Sequence, residues 1–336
     1  MTHYHEYCPA NFRTWTHRSN LLKKSIKLET PDILMLQELQ STLEDGETGN
    51  LAEDMRSWLL LNGYEMEYGR KIAHNGYQKA KAQLGIAICW NASVFHQEEV
   101  ATKVCFASEL VDNCSTEQSF QHFSMQSHVC LLVPLIHIAS GKRILFVTTH
   151  LVSDPGVSEI KFAQATVLMR EIEKHREGDS PVVLAGDFNS LPDSLVYQFI
   201  KDGIAALSSP ELQRDELLKR RIEMPTVVPT QDDFILNPVP MQSAYLTVDS
   251  KEPDVTNVTP DFEGTLDFIW FTPDLKCQNV MKLPSYQTLK AENNSMGIPS
   301  ERYPSDHIPI GAVFAFQDKQ SLEQQSSSPT VVAAAA

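Results

Sequence analysis

Five apolar runs, far apart in the chain, each carry a polar side chain at or near one end. Pro31-Asp32-Ile33-Leu34-Met35-Leu36-Gln37-Glu38 closes on Glu38, and Arg143-Ile144-Leu145-Phe146-Val147-Thr148-Thr149-His150 closes on His150. Ala185-Gly186-Asp187-Phe188-Asn189 ends a third run with an acid and an amide two residues apart. Asp267 lies within Gly264-Thr265-Leu266-Asp267-Phe268-Ile269-Trp270-Phe271, and Asp306-His307 open a fifth run that reaches Ile310. Short apolar runs rich in branched and aromatic residues predict buried strands. Polar groups delivered to several strand ends suit a site gathered on one edge of a sheet stack.

Elsewhere the period lengthens to that of a helix. Residues 18–29 place Leu21, Leu22 and Ile26 on a different face from Lys23, Lys24 and Lys27, and Pro31 stops the helix. Residues 50–61 predict a second helix, ended by Asn62-Gly63. The clearest helix is 158–176, with Ile160, Phe162, Ala163, Val167, Leu168 and Ile172 as its apolar stripe. Asp193-Ser194 can cap another over 195–201, which Gly203 ends. Residues 84–90 and 129–138 predict short strands, and Ser140-Gly141-Lys142 predicts a hairpin turn into the His150 run. Residues 108–121 and 225–240 read as loops, the second with four prolines. Residues 318–336, serine-rich and then alanine-rich, predict a disordered tail after one domain over 1–317. Short strands alternating with a few helices fit an α/β sandwich of two sheets flanked by helices.

The totals narrow the function. With 28 Lys and Arg against 43 Asp and Glu, the net charge is −15. A protein that wraps duplex nucleic acid through many phosphates is usually basic, so the balance argues against that class. It leaves room for a narrow site where divalent cations meet a substrate phosphate. The six cysteines form no CxxC pair, which points to reduced core thiols. No apolar run approaches the ~20 residues of a membrane span, and Met1 to Glu6 lacks an apolar signal core. The expected location is therefore the cytoplasm, with the nucleus as a second compartment, and no membrane partner.

In a straight strand Asp187 and Asn189 would face the same side. A carboxylate and an amide carbonyl are hard oxygen ligands suited to Mg²⁺ or Mn²⁺. On their own, Glu38 reads as a solvated strand-end charge and His150 as a core histidine. Asp306 and His307, as neighbours, point to opposite faces, so the acid that orients His307 must come from elsewhere, and Asp267 is available. No serine sits in a nucleophile elbow and no glycine-rich phosphate loop occurs, which leaves water as the nucleophile.

The ordered set Leu36-Gln37-Glu38, Thr149-His150-Leu151, Gly186-Asp187-Phe188-Asn189-Ser190, Leu266-Asp267-Phe268-Ile269 and Ser305-Asp306-His307 resembles the DNase-I-like endonuclease/exonuclease/phosphatase superfamily. Within it the chain looks like the carbon catabolite repressor type of poly(A) deadenylase, whose relatives include nocturnin and the angel proteins. Tyr7-Cys8-Pro9 with Trp15 and Arg18 is similar to that group's opening segment. So are His150-Leu151-Val152-Ser153-Asp154-Pro155 with Lys161 and Gln164, Asn189 to Ser194, Gln242 to Tyr245, and Thr256-Asn257 leading to Asp261-Phe262-Glu263-Gly264.

The resemblance implies a four-layer α/β sandwich, two Mg²⁺ ions and removal of AMP from the 3′ end of single-stranded RNA. It implies that Glu38 holds one metal and that Asp187 and Asn189 lie at the second and at the attacking water. His150 would contact the scissile phosphate, and Asp267 would support His307, with His307 and Asp306 as further metal-side groups. Pro155, Asn189 and Phe262 match the positions that pack on or hydrogen-bond the terminal adenine. Two departures stand out. The family's first strand, with a metal-binding Asn, has no counterpart in Met1 to Tyr7, and the family's Asp-Gly-Cys is Leu84-Gly85-Ile86 here. The leucine-rich repeats that dock some deadenylases into mRNA-decay complexes are also absent. A phosphatase acting on a nucleotide or RNA end, and a non-catalytic RNA-binding protein, are the alternative readings.

Overall fold

A computed structural model describes residues 5–43, 51–71, 82–124, 127–225, 227–292, 297–317 and 330–335. Two sheets lie face to face with helices on their outer sides. The first runs in the order Leu275–Val280, Ile310–Phe316, Thr330–Ala335, Ile33–Leu43, Ala82–Asn91, Tyr64–Arg70. The second runs Gln242–Ser243, Asp267–Phe271, Val182–Asp187, Lys142–His150, Val129–His137, Phe95–Gln97.

The two-residue period decides which face packs on what. Val129, Leu131, Val133 and Leu135 meet Ile33, Met35, Ile86 and Ile88 between the sheets. Cys130 and Leu132, one position out of phase, join the helix face with Phe162, Leu168 and Ile172 of the helix Ser158–His175. On the other flank Met55 and Leu59, with Ile26, cover Leu34 and Leu36. Helix, sheet, sheet and helix are thus four layers, as the α/β sandwich reading requires. Thr14 caps the helix Trp15–Glu29, and Ser194 caps Leu195–Asp202, which ends at Gly203 with φ +80°. All six cysteines are free.

Three expectations are corrected. Residues 108–121 are not a loop: helices Phe106–Val111 and Glu117–Ser124 occupy most of this stretch, because Phe106, Leu110 and Phe123 bury their side chains in the core. Residues 225–240 contain a small hairpin, Thr230–Gln231 and Phe234–Leu236, turned by Asp232 and Asp233 at φ +48° and +64°. Residues 330–335, expected in a disordered tail, form a strand parallel to Ile33–Leu43 and antiparallel to Ile310–Phe316. Backbone pairing on both sides outweighs the weak strand preference of alanine there. The rest of the expected tail, 318–329 and 336, lies outside the described residues, as does Asn50.

Candidate active site

Three neighbouring strands bring three of the predicted side chains into register. His150 pairs with Asp187 across a parallel ladder, and Asp187 pairs with Asp267 across an antiparallel one. The first two residues end their strands and the third begins its own, so all three lie at one edge. Gly186 permits the approach of the first pair of strands: a Cβ there would stand 2.2 Å from the Thr149 carbonyl oxygen.

The chain then bends. Asn189 takes φ +46°, so it does not follow Asp187 by straight-strand alternation as expected. The turn nevertheless brings the two together. The Asp187 Oδ1 accepts from the Asn189 backbone N–H at 2.8 Å, and its Oδ2 from Asn189 Nδ2 at 3.2 Å. Lys161 donates from Nζ to the Asn189 carbonyl at 2.8 Å and fixes the same turn.

His307 enters from the segment before Ile310–Phe316. Its Nδ1 lies 2.8 Å from Asp267 Oδ2, and its Nε2 lies 3.8 Å from Asp187 Oδ2. His150 Nε2 is 3.5 Å from the same Asp187 oxygen. Asp306, as its adjacency to His307 requires, faces elsewhere, 3.2 Å from His5 Nε2. Ligand atoms of Asp187, Asp267 and His307 all lie within 4.8 Å of one another, among the described residues. Glu38, at φ +55°, stands outside that group but lines the same cavity.

Electrostatics single out the carboxylate cluster. Burial, resisted by His307 and reinforced by Asp267 and Glu38, lifts Asp187 to about 7. Burial opposes charge on His307, but Asp267, Asp187 and Asp306 outweigh it and hold its pKa well above the imidazole norm. His150 is pushed far down by burial, with Lys71, His128 and His307 adding to it. A set of crowded carboxylates and an imidazole fits a divalent cation, which would relieve the repulsion on Asp187. Asp267 is committed to His307, so Asp187 and Glu38 are the carboxylates left for a cation beside it, with Asp306 and Asp261 also on the cavity wall.

That cavity, about 840 Å³, also takes in Arg18, Pro155, Lys161, Asn189, Asp306 and Phe262. Phe262 is 38 % exposed, a ring presented rather than packed away. Pro155 and Phe262 thus share a mouth with the acid cluster. Reading the sequence missed Lys71, which is half-buried and close enough to Glu38 and Asp187 for both to oppose its loss of charge. It also missed His128, which stacks edge-on to His150 at 6.1 Å between ring centres and is lowered to about 3 by burial and Lys71. A lysine following a strand carries no pattern that separates it from a solvated one.

The Endonuclease/Exonuclease/phosphatase family matches residues 5–307, a span that holds every one of these side chains. The chain belongs to that family. Within it, the chain is similar to the CCR4-Not complex 3′-5′-exoribonuclease subunit Ccr4 of Candida albicans, at 28 % identity over 328 residues. The match covers 92 % of this chain and 38 % of that relative, so the chain spans well under half of its length. The solved structure of ANGEL2, a 2′,3′-cyclic phosphatase, in complex with adenosine-2′,3′-vanadate superposes with a TM-score of 0.71 at 26 % identity, covering 92 % of this chain and 89 % of that one. The human Nocturnin catalytic domain shares the fold, with a TM-score of 0.60 at 21 % identity over 90 % of this chain and 88 % of that one.

Proposed function

We propose that this member of the family is a Mg²⁺-dependent phosphodiesterase that removes 5′-AMP from the 3′ end of poly(A). The supporting observation is that Asp187 and His307, two of the three clustered groups, line one cavity with Pro155 and Phe262. Asp187 and Glu38 would hold the cations, one or two, which supply a lowered water pKa and charge neutralisation at the phosphate. The protein's own groups do the rest. Asp267 orients the His307 ring through Nδ1 and keeps it cationic, so its Nε2 presents an N–H to a phosphate oxygen. Neutral His150 beside Asp187 offers a second contact to the phosphate, and Asn189 orients the water at Asp187. Arg18 and Lys161 add positive charge to an otherwise acidic wall, and Lys71 adds more close to Glu38 and Asp187. Phe262 and Pro155 would sandwich the terminal base, and the Asn189 amide would read its edge.

Action within an mRNA-decay complex in the cytoplasm belongs to the same reading, and its support is the likeness to Ccr4. A second reading, hydrolysis of a 2′,3′-cyclic phosphate, is favoured by the likeness to ANGEL2. The test is incubation of 5′-labelled oligo(A) and of cyclic-phosphate-ended RNA with Mg²⁺ and with EDTA. Stepwise shortening of oligo(A) with Mg²⁺ alone supports the first reading. Opening of the cyclic end without shortening replaces it with the second, and inertness on both refutes catalysis.

A further inference from the structure

Thr256 lies outside the cluster, yet it bonds to two of the three segments that build it, those carrying Asp267 and His307. It is fully buried, with no exposed area. Its hydroxyl oxygen accepts from the backbone N–H of Leu266 at 2.9 Å and of Asp267 at 3.2 Å. Its carbonyl accepts from Ile308 N, the residue after His307, at 2.7 Å, and its own N–H donates to the Gly264 carbonyl at 2.9 Å. The next residue, Asn257, forms an isolated antiparallel bridge to His307, and Val258 N donates to the Asp306 carbonyl at 3.1 Å. The same two residues are one arm of the hairpin Asn257–Val258 and Glu263–Gly264. Phe262 sits at its tip, pinned by Thr259, whose N–H donates to the Phe262 carbonyl at 2.8 Å and whose hydroxyl accepts from Phe262 N at 3.1 Å.

We propose that Thr256 is a positioning residue: its hydroxyl and carbonyl aim Asp267 and His307 at each other and join that pair to the hairpin carrying Phe262. This rests on the role given above to the His307 pair. The physical reason is that Asp267 and His307 arrive from segments 40 residues apart, and their 2.8 Å bond depends on the relative placement of two backbones. Thr256 bonds to both backbones at once. Without its hydroxyl, two buried N–H groups lose their acceptor, and the start of the Asp267 strand must shift to find another. Displacements of about 1 Å at a reacting centre cost on the order of 10²-fold in rate.

The test compares Thr256→Val, which keeps shape and removes the acceptor, with Thr256→Ser, which keeps it. Turnover is measured with Mg²⁺ on oligo(A) and on bis(p-nitrophenyl) phosphate, a diester without a base, per folded protein by circular dichroism. The low-field proton resonance of the His307 Nδ1–H bond to Asp267 is read by NMR. Thr256→Val should lower kcat by about 10- to 100-fold on both substrates with KM for the base-free diester unchanged, and should shift or abolish the resonance. Thr256→Ser should stay within about threefold of wild type, by retaining the acceptor. If the valine variant does not fold, Thr256→Cys, whose sulfur accepts only weakly, takes its place with the same expectation. A valine or cysteine variant within threefold of wild type and with the resonance intact overturns the proposal. A wild type active on the base-free diester but inert on oligo(A) would refute the poly(A) reading alone, and the comparison on the diester would still decide the role of Thr256.

Discussion

Replacing Asp187 by Asn should make the metal-free protein more stable at alkaline pH while destroying its activity. The carboxyl is 4 % exposed and surrounded by Asp267 and Glu38, and burial with that repulsion lifts it from 3.8 to about 7. Folding therefore tightens the hold of this group on its proton. Stability falls as pH rises from about 4 to about 7, and the full penalty is present above that. At 1.36 kcal/mol per pKa unit the gap corresponds to about 4 kcal/mol. Asparagine cannot ionise, yet its Oδ1 can still accept from the Asn189 N–H. Against this gain stands the loss of a negative partner for His307, so a net gain of about 1–3 kcal/mol is expected at pH 8. For a chain of this length that is roughly 2–6 °C in Tm. The assay is thermal unfolding in EDTA at pH 5 and pH 8. The Tm of the variant relative to wild type should increase between the two pH values. Cleavage of oligo(A) with Mg²⁺ should drop by about 10³-fold or more, the equivalent of several kcal/mol of lost transition-state stabilisation. A Tm difference that stays flat with pH, or moves in favour of wild type at pH 8, would refute the crowding argument.

Three further outcomes follow from the same geometry. Phe262→Ala should raise KM for oligo(A) about 5- to 150-fold, from a stacking contribution of ~1–3 kcal/mol, with kcat changed much less. Equal kinetics of variant and wild type on oligo(A) and oligo(U) would show the ring is not a base shelf. Added Mg²⁺ should raise Tm more at pH 8 than at pH 5.5, because below about 7 the cation must displace a proton from Asp187; the reverse order would contradict its role as a ligand. Removal of residues 330–336 should lower Tm by several degrees, because Ile33–Leu43 and Ile310–Phe316 each lose a neighbour along that ladder. An unchanged Tm would contradict the placement of this strand.

What could be read from the chain depended on how much of each feature was local. The His150 strand was legible because Ile144 to Val147 are uniformly apolar and its turn is marked by Gly141 at φ +65°. The link from Asp267 to His307 followed from the opposite facing of adjacent residues, and the 2.8 Å bond agrees with it. The helices at Phe106–Val111 and Glu117–Ser124 were hidden because each is too short to show a full apolar stripe, and Asp112 to Ser115 between them read as loop. Thr330–Ala335 was hidden for a different reason: a run of alanines has little strand preference, and its partners lie far away in sequence. Lys71 gave no sign of a role in the sequence, and Thr256 stood out only as part of the Thr256-Asn257 segment of the resemblance. The importance of each comes wholly from what tertiary structure puts beside it, which is Glu38 and Asp187 for the lysine and the Asp267 N–H for the threonine.

In the proposed reaction water attacks the phosphorus of the 3′-terminal nucleotide beside Asp187. This attack is tested most directly by digesting oligo(A) with Mg²⁺ in ¹⁸O-enriched water and analysing the mononucleotide by mass spectrometry. The product should be 5′-AMP with one ¹⁸O in its phosphate from a single turnover, and the Asp187→Asn variant should give none. A 3′-mononucleotide, a 2′,3′-cyclic phosphate or an unlabelled 5′-AMP would contradict the proposed attack.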